Sequence, residues 1–443
     1  MNNKRIIYWL PVIVLFFLVF IYQIQVERWY LVDSYEYIYG AQSFTEDGSW
    51  YSKDKAEAYD PAHHTRRTPL YPILLVMSNW FTDAPWFVAL WQIGLSLLNI
   101  FILTKILNLL RLPRIVRPIL IPFLLLMPAL YIYANLVMTE VIFQTLLMGM
   151  VYFMLMALKF KEQQGVILVM ALLILSFLTK PVMYLFVLPF LLISTFLAWK
   201  WKRWLLILIG VAPLFVVSAY QFHNLEKTGY FHFSSVQNLN LLQLTTYNLL
   251  INRVGEEEAI SITDDIYEKA RANESFAEGF KYMQSACLSI MWEHKWYYIG
   301  YHLKGMVNFF LDPGRFDLYH LLGKQTVGDS AGLSRAFGEG GYAGLFRYLS
   351  QQPIGLLLFL GLVFLANVIK LVGFVGFLLM KKIPIEVRLT FFTLIGYLAF
   401  VTGPYGASRF AMPVSLLVLG AAAIFYGTIW SERAPSRPLL APK

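Results

Sequence analysis

Long apolar runs alternate with short polar segments along most of the chain. Runs close to the ~20 residues that a helix needs to cross a bilayer occupy 6–24, 85–107, 118–136, 139–160, 165–180, 181–199, 204–222, 353–380, 389–405 and 408–430. Prolines interrupt several of them, which a helix bundle tolerates because neighbouring groups satisfy the freed carbonyls. The pattern predicts an all-α polytopic membrane protein with about 10 transmembrane helices.

Two long segments lack such a run, and we expect both to lie outside the membrane. The first is the external loop 25–84, and the second is 223–352, which carries amphipathic helical patterns over 256–310. The chain then divides into an N-terminal transmembrane module, 1–222, the external region, and C-terminal transmembrane helices, 353–443.

Two shorter features qualify this division. The apolar stretch 69–81 is too short to span and predicts an interfacial or re-entrant helix, although the sequence leaves a spanning helix open. The glycine-rich stretch 338–344 predicts a flexible loop. It has only a superficial likeness to a phosphate-binding loop, because no strand–turn–helix setting surrounds it.

The composition supports a membrane protein. Hydrophobic residues make up 58% of the chain and charged residues 14%, against about 25% charged residues in soluble domains. Cys287 is the single cysteine, so an intrachain disulfide is excluded. The first apolar run exceeds a signal-peptide core and has no small-residue cleavage site after it, which predicts a retained anchor.

The positive charges follow the predicted topology. Lysines and arginines fall in alternate loops, on one side of a ten-span arrangement: Lys4, Arg5, Lys105, Arg111, Arg114, Arg117, Lys159, Lys161, Lys200, Lys202, Arg203, Lys381, Lys382, Arg388, Arg433, Arg437 and Lys443. The positive-inside rule then puts both termini in the cytoplasm and the two large loops on the external side of the membrane. The net charge of +9 is thereby a topology signal, and no nucleic-acid partner is expected.

Some charges break this pattern, at the predicted outer interface. The bases are Arg66, Arg67, Lys180 and Arg409, and the acids at the same level are Asp33, Glu36 and Glu140. Charges at such positions are usually paired or functional. Arginine and lysine there suit the phosphate of a lipid headgroup, and a carboxylate suits proton removal from an incoming group.

Each of these residues also has a structural interpretation. Residues 33–36 fit a helix capping box, and Glu140 fits a partner for its helix dipole. The adjacent arginines fit anchors to lipid headgroups, Lys180 fits a side chain that snorkels to the interface, and Arg409 fits a partner of a structural acid.

Five stretches, in this order, resemble the GT-C glycosyltransferases, in particular the bacterial branch related to protein O-mannosyltransferases and the aminoarabinose transferase of lipid A. They are DSYEYIYGAQSFTEDGSW, RRTPLYPILLVMSNWF, TEVIFQTLL, TGYFHFSSVQNLNLL and SRFAMPVSLLVLGAAA. The resemblance implies a GT-C-like bundle, with interfacial helices in the first external loop and a large, mainly helical second external region. It implies inverting transfer of a sugar from a polyprenyl or dolichyl phosphate to a hydroxyl of a lipid, glycan or protein acceptor at the outer face of the membrane.

The resemblance also implies roles for single residues. Asp33 would be the general base and Glu140 a second acid near the site, while Arg66, Arg67, Lys180 and Arg409 would hold the donor phosphate. Protein O-mannosyltransferases usually have an Asp-Glu pair where this chain has Asp33 and Ser34. Glu36, one helical turn later, is the candidate replacement.

Metal use and transport stay open at this point. Some relatives use a divalent ion, and His63 and His64 are candidate ligands, although adjacent histidines rarely suit one ion. The alternative function is a transporter or flippase of lipid-linked sugars. Transporters usually show repeats and charged sites near the bilayer midplane, whereas this chain has no repeat and its unusual charges are predicted at one interface.

Overall fold

The computed structural model describes residues 8–112, 116–323 and 333–431. The predicted cytoplasmic charges at Lys4, Arg5, Arg114, Arg433, Arg437 and Lys443, and the side chain of Arg117, lie outside this description. All regular elements of the described residues are helical, so the predicted all-α class is confirmed.

Among the described residues, ten helices form the N-terminal part. They are α1 Leu10–Val26, α2 Val32–Asp47, α3 Leu70–Asn79, α4 Pro85–Leu109, α5 Val116–Leu125, α6 Pro128–Ala134, α7 Glu140–Phe160, α8 Gln163–Thr179, α9 Val187–Trp201 and α10 Leu205–Thr228. Short 3₁₀ turns at Pro61–His64 and Pro181–Phe186 precede α3 and α9.

The remaining helices follow from residue 236 onward. In segment 223–352 they are α11 Val236–Asn240, α12 Tyr247–Val254, α13 Glu256–Arg271, α14 Phe276–Glu293, α15 Lys295–Leu311, α16 Arg315–Leu322 and α17 Leu333–Ser350, with a π-helical turn at Leu241–Thr246. The C-terminal helices are α18 Ile354–Leu379, α19 Ile385–Val401 and α20 Ser408–Ser431.

Within the described ranges, six helices are long and apolar enough to cross a membrane: Pro85–Leu109, Glu140–Phe160, Pro181–Trp201, Leu205–Thr228, Ile354–Leu379 and Ser408–Trp430. Shorter apolar helices lie at Leu10–Val26, Leu70–Asn79 and Gln163–Thr179. The predicted run 118–136 is split into α5 and α6, because Pro128 disfavours a helical conformation at the residue before it and begins a new helix. A polytopic helical protein is confirmed, while the count of about 10 spans stays a prediction.

Helices α7 and α20 form the centre of the bundle. They are the most buried of the candidate spans, whereas α18 and α10 expose most of their apolar surface. Close approach of α18 to α20 depends on Gly373, where an added Cβ would lie 2.6 Å from the Ala422 Cβ. Small residues at such contacts let membrane helices pack closely.

Segment 223–352 has a small core of its own, formed by Leu242, Ile266, Ala270, Met283 and Cys287. Its helix α15 is fixed against the turn that precedes α20. A Cβ added at Gly305 would lie 1.7 Å from the carbonyl oxygen of Gly403, so the two backbones are in direct contact. This contact joins segment 223–352 to the start of the last helix.

Two local predictions have clear outcomes. The sequence predicts a flexible loop at 338–344, and this prediction is wrong, because the stretch is part of α17. Within the described part of this helix, the backbone is non-helical at Gly341, which has φ +56°. Glycine adopts that conformation without a Cβ penalty. The stretch 69–81 contains the ten-residue helix Leu70–Asn79, which is about 15 Å long at 1.5 Å per residue. That length suits an interfacial or re-entrant helix and is about half of a membrane core.

Candidate functional site

The seven charged residues singled out in the sequence meet in one network, here called the charge cluster. They are Asp33 and Glu36 on α2, Arg66 and Arg67 between the 3₁₀ turn and α3, Glu140 at the start of α7, Lys180 directly after α8, and Arg409 at the start of α20. Every member lies in the first two turns of a helix or in a connecting segment. The fold therefore brings five separate parts of the chain together.

Asp33 lies between two guanidinium groups. Nη2 of Arg67 donates to its Oδ1 at 2.7 Å, and Nη2 of Arg409 donates to its Oδ2. Asp33 is not the cap of its helix, because Leu31 is the N-cap and its backbone N–H donates to Ser34 Oγ at 2.9 Å. The capping box proposed for residues 33–36 is wrong, and both carboxylate oxygens of Asp33 point into the charge cluster.

Glu36 lies on the same side of α2, three residues on. Its Oε2 accepts from Nε of Arg67, and its Oε1 lies 3.1 Å from Nε of Arg66. Arg67 thus bridges both acids, and its guanidinium also lies 5.0 Å from the centre of the Tyr37 ring. The two arginines are held by acids of the protein itself, which differs from the lipid-anchor interpretation.

Glu140 is fully buried and carries the other half of the charge cluster. Its Oε1 accepts from Lys180 Nζ and from Arg409 Nε, each at 2.9 Å, while its Oε2 has no hydrogen-bond partner among the described residues. Lys180 is paired and largely buried, so it does not snorkel. Arg409 pairs with two acids, Glu140 and Asp33, and so links the two halves.

The charge cluster has four bases against three acids, which leaves one net positive charge. Burial favours the neutral form of Asp33, but the nearby Arg67 and Arg409 outweigh burial and hold the pKa of Asp33 below its usual range. Asp33 is therefore ionised at neutral pH. The excess positive charge, next to partly exposed guanidinium groups, suits an anionic ligand.

Segment 223–352 supports the Arg66 segment through residues that the sequence interpretation missed. Ser234 Oγ donates to the Arg66 carbonyl at 2.9 Å, and Ser235 Oγ donates to the Ala62 carbonyl at 2.6 Å. The Thr65 hydroxyl lies 2.8 Å from His232 Nε2. In the sequence, the stretch FHFSSVQ only contributes to the family resemblance. Small uncharged residues do not show which backbone groups they bind.

Two further acids hold the start of α20. Asp317 accepts from the Tyr133 hydroxyl at 2.6 Å and from Ser408 Oγ at 2.5 Å. Asp312 Oδ2 accepts from the Ser408 backbone N–H at 2.6 Å, one residue before Arg409. Burial raises the pKa of Asp317 to about 6. In the sequence, Asp312 and Asp317 appear only as two acids in and shortly after an Asp-Pro-Gly turn. That pattern does not show that both acids bind Ser408.

The histidine pair does not offer a metal site. His63 Nε2 lies 3.0 Å from Arg66 Nη1, and its Nδ1 lies 3.2 Å from the carbonyl oxygen and the hydroxyl of Ser52. Burial, together with Arg66, lowers the pKa of His63. In the part of the chain that is described, no three His, Cys, Asp or Glu residues converge as metal ligands. A divalent ion does not fit this donor set.

Comparison with known proteins returned structural neighbours only. No family model matches the chain, and no curated protein matches it. Two crystal structures are similar, both of ArnT from Cupriavidus metallidurans. The apo state shares 14% identity over 96% of this chain and 78% of that chain, with a TM-score of 0.37. The state bound to undecaprenyl phosphate shares 14% identity over 98% and 80%, with a TM-score of 0.39.

Proposed function

We propose that this protein is an inverting glycosyltransferase, which moves a sugar from a polyprenyl phosphate donor to an acceptor hydroxyl at the outer face of a bacterial inner membrane. The observation that carries the proposal is the charge cluster itself. Residues singled out from sequence as phosphate ligands and proton acceptor come from five separate segments and form one contiguous set of ion pairs. The alternating loop charges support the outer location.

The donor phosphate is proposed to bind the guanidinium groups. Arg66 and Arg409 each keep about a fifth to a quarter of their side chains exposed, so an incoming group can reach them. Guanidinium binds phosphate oxygens in a bidentate manner. The phosphate would therefore compete with Asp33 for Arg67 and Arg409, and its charge would offset the excess positive charge of the charge cluster.

This competition has a consequence for the base. In the absence of donor, two guanidinium groups hold the pKa of Asp33 low, which makes Asp33 a weak proton acceptor. When the phosphate takes over those groups, the pKa of Asp33 rises towards the range of an effective base. Donor binding thus releases the base.

The transfer step follows from these positions. The acceptor oxygen attacks the anomeric carbon from the face opposite the phosphate, and its proton passes to the Asp33 carboxylate. The bond between the anomeric carbon and the phosphate oxygen breaks, and its electron pair leaves with the polyprenyl phosphate. Arg66, Arg67, Lys180 and Arg409 stabilise the charge that develops on the leaving phosphate.

Glu36 and Glu140 are proposed as positioning residues. Glu36 pairs with Arg66 and Arg67, and one oxygen of Glu140 holds both Lys180 and Arg409. Glu140 is fully buried, so it acts on the donor through the cations that it aims. Catalytic groups held in advance by neighbouring charges need no reorganisation during the reaction.

The alternative is a transporter or flippase of lipid-linked sugars. Such proteins place their charged sites near the bilayer midplane, where helices break. The members of the charge cluster lie in the first two turns of a helix or in connecting segments, which supports the transferase. Lys370, inside the candidate span α18, has no ion pair with the charge cluster.

The test uses the full-length protein in nanodiscs with a panel of polyprenyl-phosphate sugars and candidate acceptors. Release of polyprenyl phosphate is followed for the wild type, for Asp33→Asn and for Asp47→Asn, an exposed acid of the same helix. We expect one donor to be consumed, Asp47→Asn to match the wild type, and Asp33→Asn to bind donor but turn over at least ~10²-fold more slowly.

Two results would contradict the proposal. Equal turnover by Asp33→Asn would remove the assigned base. Movement of uncleaved donor across the bilayer of proteoliposomes, with no release of polyprenyl phosphate, would establish the transporter instead.

A further inference from the structure

We propose that a polar cleft between the two external segments binds the acceptor, and that this acceptor is a saccharide; the inference rests on the function proposed above. The cleft has a volume of about 530 Å³. One wall belongs to the first external loop and includes Lys53, Tyr59, His63 and Arg66. The opposite wall is formed by the second external region from Ser235 to Met283.

The size of the cleft suits a small ligand. Sites for small molecules typically measure about 300–1,000 Å³. Two apolar cavities among the helices that carry the candidate spans measure only about 60 and 70 Å³, too little for a sugar. The external cleft is large enough for more than one sugar ring, and it lies where a water-soluble acceptor group can enter.

The cleft adjoins the charge cluster through Arg66. Nη1 of Arg66 lies 3.0 Å from His63 Nε2, and both residues line the cleft. Nε of the same arginine lies 3.1 Å from Glu36 Oε1, and Glu36 is a partner of Arg67, which pairs with Asp33. A ligand in the cleft therefore has one end beside the cations proposed for the donor phosphate.

The charges of the cleft nearly balance. Three bases and two acids line it: Lys53, Arg66, Arg271, Asp60 and Glu274. A site for a polyanion would carry a larger excess of positive charge. An acyl chain would leave these polar groups without hydrogen bonds, which costs free energy. A neutral ligand with many hydroxyl groups satisfies donors and acceptors of both signs.

Uncharged groups in the cleft match the two faces of a sugar ring. Gln243 and Asn273 supply amides, which can donate hydrogen bonds to hydroxyl groups and accept hydrogen bonds from them. Tyr59, Tyr267 and Phe276 supply rings for the apolar face of a pyranose. The Tyr59 ring stacks on another ring, Tyr51, at 5.7 Å between centres, and still exposes most of its surface.

The inner wall is held in place before any ligand arrives. Asn238 Nδ2 donates to the Phe280 carbonyl at 2.7 Å. Helices α13 and α14 meet at Gly279, where an added Cβ would lie 2.2 Å from the Ala270 carbonyl oxygen. A fixed wall lowers the entropic cost of binding a polar ligand.

The experiment applies the full-length wild type in nanodiscs to an array of neutral oligosaccharides of two to six units, with a peptide array beside it. Glu274→Gln and Gln243→Ala change the cleft, and Glu268→Gln is the matched control on the exposed side of α13. We expect retention of a subset of oligosaccharides, about tenfold weaker binding for each cleft variant, and no change for the control. Equal melting temperatures of the variants show that the fold is kept.

The outcomes separate this inference from the proposed function. Asp33→Asn should keep oligosaccharide binding while it loses turnover, which supports both. Specific oligosaccharide binding without any donor consumption keeps the cleft assignment and rejects the transferase. Retention of peptides only, or no retention of oligosaccharides by the wild type, overturns the saccharide assignment. Donor consumption with an acceptor KM that the cleft variants leave unchanged overturns the location.

Discussion

Arg409 donates a hydrogen bond to Asp33, a residue 376 positions earlier in the chain. Arg409 opens the last helix, and Asp33 lies in the first turn of α2. The same guanidinium reaches Glu140 through its Nε. One side chain therefore closes the charge cluster, and it requires the N-terminal and C-terminal helices to be assembled around it.

Replacement of Arg409 by lysine should impair the site although the charge is kept. An ammonium group has no planar fork, so it cannot bridge Asp33 and Glu140 as the guanidinium does. We expect turnover to fall by ~10²-fold, measured as release of polyprenyl phosphate. Arg347→Lys, an exposed position on α17, is the control. Turnover equal to the wild type in Arg409→Lys would show that charge alone suffices.

The pH dependence should differ between free enzyme and donor complex. A base must be ionised, so activity is lost as the pH falls through the pKa of Asp33. The pH profile of kcat/KM reports that pKa in the free enzyme, and the profile of kcat reports it in the complex. Arg67 and Arg409 hold the pKa low in the free protein. We expect the acidic limb of kcat at higher pH than that of kcat/KM. Coincident limbs would contradict release of the base by the donor.

Removal of the Glu140 charge should destabilise the fold as well as the site. Glu140→Gln leaves Lys180 and Arg409 buried with a weaker partner, and breaking a buried ion pair costs about 3–5 kcal/mol. Thermal melting in detergent measures this loss. The double variant Glu140→Gln with Lys180→Met should recover part of the stability without recovering turnover. Recovery of both would mean that the pair has only a structural role.

Asp317 should make stability depend on pH in an unusual direction for an acid. Its pKa is raised to about 6 by burial, above the value of about 3.9 in an unfolded chain. The folded state then binds more protons than the unfolded state between those values. The contribution of Asp317 to the free energy of unfolding is therefore largest below about pH 4, and it falls as the pH rises to about 6.

Asp317→Asn should flatten this part of the profile. The amide keeps an acceptor for the Tyr133 hydroxyl and cannot ionise. Melting temperatures between pH 4 and 8 measure the effect, with Asp265→Asn, an exposed acid of α13, as control. An unchanged slope in Asp317→Asn would assign the pH dependence to other groups.

Lys370 should be dispensable for transfer. It is almost fully buried within α18 and has no ion pair among the described residues, and a buried unpaired cation is costly. We expect Lys370→Met to raise the melting temperature and to leave turnover unchanged. Lys370→Arg keeps a buried charge, so its melting temperature should not rise. Loss of substrate movement in proteoliposomes with Lys370→Met would instead favour a transport role for this mid-span charge.

The sequence by itself determined the class of fold and singled out the members of the charge cluster. Apolar run length is a local property, so helices lie where runs such as 85–107 and 408–430 predict them. Charges that break the positive-inside pattern are costly at a membrane interface. For that reason their positions in the predicted topology singled out Asp33, Glu140 and Arg409, residues that are far apart in the chain.

The tertiary structure alone decided which partner each charge has. The sequence allowed Asp33 to be a helix cap and Lys180 to reach the lipid headgroups, because either is compatible with local spacing. Packing of α20 against α7 brings Arg409 between Asp33 and Glu140. Ser234 and Asp317 were not predicted, since their function depends on the backbone and side-chain groups that the fold places beside them. Local pattern fixes the helices, whereas long-range packing fixes the contacts.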